Sequence, residues 1–155
     1  MAWYAGVALA DMGDISHLED FLIAASGGLI EHFAKLGEQD DAGAISYGFL
    51  EFEVQQETIR ALANFRGNRK VADFLLNILE NPKMLLGRQD SKGAQRALRV
   101  WAICGLGAVG HSDDLDLVEK LTEKGTDEGK AAQAALQLFG RGTYDEIKKQ
   151  AGINY

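Results

Sequence analysis

Three histidines, one cysteine and two runs of carboxylates are the side chains of this 155-residue chain best suited to chemistry. His17, His32 and His111 each stand alone. None has a second histidine or a cysteine three or four residues away, the spacing that sets two metal ligands on one helix face. Glu31 and His32 are adjacent, but consecutive helical residues point about 100° apart. His111 follows a glycine and reads as a turn residue tolerant of unusual dihedrals. Glu38, Asp40 and Asp41 form one acidic run, and Asp113, Asp114, Asp116 and Glu119 the other. General acid–base work needs burial that pushes the pKa values of such acids apart. Their neighbours are charged or small, the setting of a solvated loop and a helix start that complements the helix dipole. Cys104 sits in the apolar run Ala102-Ile103-Cys104-Gly105-Leu106, with no cation near in sequence to favour a thiolate. It reads as an inert packing residue, and a lone cysteine forms no intrachain disulfide. Gly105-Leu106-Gly107-Ala108-Val109-Gly110 spells the letters of a dinucleotide fingerprint, but that motif must follow a strand and open a helix. Here it closes a helical pattern. These residues predict no catalytic set, no metal site and no cofactor.

The elements that position them follow from composition. One proline and abundant alanine and leucine favour helix, and no period-two strand pattern competes, so the predicted class is all-α in a single domain. Helical spacing covers residues 2–12, then 15–36 as about six turns interrupted by Gly27-Gly28, with a loop at 37–43. It resumes over 45–65. Val71, Phe74, Leu75, Ile78 and Leu79 form the cleanest amphipathic stripe, stopped by Asn81-Pro82. Met84-Leu85-Leu86 is expected to fold back over a helix end. Further helices are expected over 94–109, over a short stretch holding Leu115, Val118 and Leu121, over 127–139 and over 143–151, before a polar tail at 152–155.

One unit recurs. Leu9 through Gly13 leads to Leu18 and Phe21, and Leu62 through Gly67 leads to Val71 and Phe74, with apolar anchors nine and twelve residues after the leucine. Leu106 through Gly110 to Leu115 and Val118 keeps that spacing. Leu136 through Gly140 to Tyr144 and Ile147 is one residue shorter. Gly13, Gly67, Gly110 and Gly140 fall where a left-handed helix cap needs no Cβ. The glycines stand 54, 43 and 30 residues apart, so the repeat predicts an uneven stack of units burying their faces on one another.

Acidic residues number 23 against 16 basic, a net charge of −7. That sign repels phosphate backbones, which argues against nucleic acid, and it suits solubility and encounter with a basic partner. Arg60, Arg66, Arg69, Lys70, Arg88, Lys92, Arg96 and Arg99 make the middle of the chain locally basic. The start, Met1-Ala2-Trp3-Tyr4, has no basic leader, and no stretch approaches the roughly 18 apolar residues of a membrane span. The chain therefore reads as cytoplasmic, without a membrane partner. Because helical spacing is already under way at Trp3, it also reads as compatible with a piece of a longer repeat protein.

The stretch Ala94 to Gly110 followed by Asp113-Asp114-Leu115 resembles the HEAT-like (armadillo-type) helical repeat family. Val7 to Asp14 and Ala61 to Asn68 are weaker copies, and the family's Val-Arg pair survives loosely as Ile59-Arg60 and Leu98-Arg99. Residues 27–55 depart from a standard unit. The resemblance implies a short, irregular α-solenoid of antiparallel helix pairs, first helices convex and second helices concave. It implies a non-catalytic scaffold that binds a partner protein on the concave face. Polar positions off the second-helix stripes are then the contact candidates: Asp20, Lys70, Asp73, Asn77, Asp116 and Lys120. Two alternatives stand beside it. Size and charge suit an acidic inhibitor or immunity-type protein that neutralises a basic partner. The family also includes lyase-like chaperones and enzymes that handle pigments.

Overall fold

The computed structural model describes residues 2–23, 25, 43–82, 91–123 and 125–155, and among these every regular element is helical. Eight α-helices follow in order: α1 (Ala2–Asp11), α2 (Leu18–Ile23), α3 (Gly43–Leu62), α4 (Arg69–Glu80), α5 (Lys92–Val109), α6 (Leu115–Leu121), α7 (Asp127–Gln137) and α8 (Tyr144–Gln150). The all-α prediction holds. The expected helix beyond Ile23, the loop at 37–42, the Met84-Leu85-Leu86 segment, His32, Arg88 and the acids Glu38, Asp40 and Asp41 lie outside the described residues.

α5 is the centre of the core. Ser91 caps it by accepting the Ala94 amide at 3.1 Å, and an unbroken run from Val100 to Val109 is buried. A helix apolar on all sides must be covered on all sides, and α5 packs against α3, α4, α7 and α8. Odd-numbered helices pack in chain order, α1 on α3, α3 on α5 and α5 on α7. α2 packs on α1, α4 on α5 and α6 on α7. α8 lies on both α7 and α5, because a Cβ at Gly107 would come within 2.5 Å of the Ala135 Cβ and 3.1 Å of the Ile147 side chain. The absence of that Cβ draws the last pair in and matches the shortened final spacing. The glycines of the false dinucleotide motif thus serve helix contact.

The four repeat glycines all have positive φ, and so does Gly152 after α8. Their turns are tied into one row. Asp11 accepts from Arg60 at 3.0 Å and from the Asn64 side-chain amide at 3.0 Å, joining the first turn to the second. The Gly67 amide donates to the Val109 carbonyl at 2.7 Å, and the Gly140 amide donates to the Gly107 carbonyl at 2.9 Å. Arg66 spans from the second turn to the fourth, donating to the Gly140 carbonyl at 2.6 Å.

Three expectations are corrected. Leu115, expected as an apolar anchor, is 42% exposed, while Asp114 beside it is 4% exposed. A 3₁₀ turn over Ser112–Asp114 precedes α6 and sets the buried line on Asp114, Val118 and Leu121, spaced i, i+4 and i+7. His111 has an ordinary extended backbone, φ −72°, and acts as a cap, its Nδ1 accepting the Asp113 amide at 3.3 Å. Asp14 accepts the Ser16 amide at 2.8 Å and so shapes the turn ahead of α2. The polar tail docks: Ile153 is buried, Trp101 and Gln56 donate to the Tyr155 carbonyl at 3.1 and 3.0 Å, and the Tyr155 hydroxyl donates to Asp127 at 2.9 Å.

Candidate functional site

The stripe of α4 dictates what its other side offers. Asn68 caps the helix by accepting the Val71 amide at 3.2 Å, and Val71, Phe74, Leu75, Ile78 and Leu79 turn inward. Lys70, Asp73 and Asn77, at i, i+3 and i+7, are left on one exposed ridge. α2 follows the same logic at smaller size: Leu18 and Phe21 are buried, Glu19 and Asp20 are exposed. Between the two helices runs a groove of about 360 Å³ lined by Glu19, Leu22 and Ile23 from α2 and by Lys70, Asp73, Phe74 and Asn77 from α4. Leu22 and Phe74 give it an apolar wall, and Ile23 is 70% exposed.

Two consecutive cations hold this layer together in opposite directions. Lys70 reaches back to Glu19 on α2 in a direct ion pair. Arg69 binds Asp73 at 2.7 Å on its own helix and Asp114 at 3.1 Å ahead of α6, with His111 Nδ1 at 3.2 Å. Asp73 and then Asp114 hold the Arg69 guanidinium above its usual range, through hydrogen bonds and charge. The starts of α2, α4 and α6 therefore lie side by side.

No protein-family model, curated protein or solved structure matches the chain. The reading of the site rests on its own geometry.

Of the predicted contact residues, Lys70, Asp73 and Asn77 come together in the groove. Asp20 lies across α2, at the mouth of a second, mainly apolar pocket of about 260 Å³ lined by Ala5, Gly6, Leu9, His17 and Phe21. His17 Nδ1 stands 3.4 Å from its carboxylate. Asp116 and Lys120 are exposed on α6 and do not line the groove. Sequence reasoning missed Glu19, which faces Lys70 from 51 positions away.

The chemistry-bearing side chains are dispersed. Cys104 is buried, and burial pushes its thiol up to about 12. Among the described residues no three of histidine, cysteine, aspartate and glutamate gather as a metal site would require. Five cations of the basic middle form internal bonds: Arg60 with Glu57 and Asp11, Arg66 with the Gly140 carbonyl, Arg69 and Lys70 as above, and Arg99 with Glu128 at 2.9 Å. No helix among the described residues is long and apolar enough to cross a membrane.

Proposed function

We propose that the chain is a non-catalytic protein-interaction module, a short irregular α-solenoid of HEAT-like helix pairs that binds a partner protein across its second-helix layer. The observation that carries this reading is the α2–α4 groove. Three residues chosen from helical spacing alone line it, beside the side chains of Leu22, Ile23 and Phe74, of which Ile23 is 70% exposed. Apolar floor with a charged rim is the composition of protein interfaces, where the floor supplies affinity and the rim supplies specificity. The repeated glycine turns and the buried run Val100–Val109 of α5 support the solenoid half of the proposal, because they make each pair depend on its neighbours.

The test is capture of partners by the immobilised full chain from extracts of its own source cells. Reversing Asp73 and Asp116 together, to lysine, is expected to reduce the bound partner about tenfold, the effect of one unfavourable charge at the groove rim and one on the α6 part of the same layer, together worth about 1.4 kcal/mol. Both side chains are exposed, so folding should survive, which circular dichroism checks. Capture unchanged by the double reversal contradicts this placement of the site.

A further inference from the structure

Charge is not spread evenly over the fold. The segments 14–23, 69–80 and 113–121, which hold α2, α4 and α6 with the residues just ahead of α2 and α6, contain nine acidic residues and three basic ones. Everywhere else the chain has fourteen acidic and thirteen basic residues. Six of the seven net negative charges therefore belong to this one layer. Two of its three cations are already neutralised within it, Lys70 by Glu19 and Arg69 by Asp73 and Asp114. What the layer presents outward is negative, with an apolar groove in its middle.

We infer that the groove between α2 and α4 takes a basic, amphipathic segment of the partner, and this rests on the interaction-module reading above. Apolar side chains of the segment would lie on Leu22, Ile23 and Phe74, and its lysines or arginines would meet Glu19 and Asp73 at the rim. Charge complementarity selects this occupant over the others. Nucleic acid brings a second negative surface. A second copy of the chain, in the symmetric arrangement that dimers adopt, would set one acidic layer against another. A basic segment is attracted from a distance, and the groove fixes it on arrival.

The probe is a fluorescein-labelled helical peptide of about 18 residues with leucines on one face and lysines on the other, compared with the same peptide carrying glutamates. Fluorescence anisotropy with the intact chain should show the lysine peptide binding, and binding about tenfold weaker when salt rises from about 50 to 300 mM. Asp73→Lys should weaken it a further five- to tenfold, by roughly one charge reversal at the rim. Lys70→Glu should tighten it by several-fold. Asp145→Lys, the same change of charge on exposed α8, should leave it within about twofold. Equal loss from Asp73→Lys and Asp145→Lys would overturn the inference, as would failure of the lysine peptide to bind. Groove-dependent binding of the glutamate peptide would overturn the basic partner and leave the interaction module standing. Dimerisation abolished by Asp73→Lys would replace the partner with a second copy.

Discussion

Gly110→Ala lowers the stability of this fold by roughly 3–4 kcal/mol, the sum of backbone strain and the lost hydrogen bond to the carbonyl of buried Gly107. Gly110 has φ +61°, where an added Cβ is strained in any surroundings. That alone amounts to about 1 kcal/mol. The larger part comes from a neighbour. A Cβ at Gly110 would lie 2.1 Å from the Gly140 Cα and 2.4 Å from its nitrogen, backbone atoms that have no rotamer to yield. Relief requires the third and fourth turns to separate, which breaks the Gly140-to-Gly107 hydrogen bond. In a chain of this length such a loss lowers Tm by about 10 °C or more. Gly67→Ala is the control, since Gly67 has φ +69° but open space around its missing Cβ. Thermal melts should show a drop of about 1 kcal/mol for Gly67→Ala, from strain alone. Similar losses at the two positions would mean that the turns do not touch as described.

Arg69→Ala is expected to destabilise by about 3 kcal/mol, because it strands a buried carboxylate. Asp114 is 4% exposed, its Oδ1 is bound by Arg69, and its Oδ2 has no hydrogen-bond partner among the described residues. Removing the guanidinium leaves that buried carboxylate without its described donor and counter-charge. The exposed partner Asp73 predicts little by comparison, and Asp73→Ala should change stability by less than about 1 kcal/mol. A double-mutant cycle with Asp114→Ala isolates the interaction. Arg69→Ala in that background should cost at least about 1.5 kcal/mol less than in the native chain. Additive losses in urea denaturation would show that Arg69 stabilises the fold by some other contact.

These two residues also mark where sequence reading succeeds and where it stops. Gly110 was legible because a helix end followed by glycine is a local event, and all four repeat glycines adopt the expected backbone. The stripe of α4 was legible for the same reason, and the ridge of Lys70, Asp73 and Asn77 is its geometric complement. Asp114 was not legible. Its sequence neighbours are polar, and the partner that permits its burial lies 45 positions away on α4. Tyr155 repeats the lesson, since the tail looks polar and free until Trp101, 54 positions earlier, supplies its donor. The groove divides along the same line. Its α4 wall followed from periodicity, while Glu19, Leu22 and Ile23 entered it only through the tertiary placement of α2. Asp116 and Lys120 were chosen by the same periodicity on α6, but a short helix beyond a 3₁₀ turn presents them elsewhere.

Placement of α2 is what the proposed function depends on. At six residues it is too short to be stable by itself, and it packs on α1 with one wall of the groove on its far side. Its amides should therefore exchange quickly in the free chain and respond strongly to anything that fills the groove. Hydrogen–deuterium exchange of the chain with and without its captured partner reads this directly. The account predicts that α2 slows at least tenfold on binding, with smaller slowing along α4 and none along α8. Slowing along α8 and the docked tail, with α2 unchanged, would contradict it.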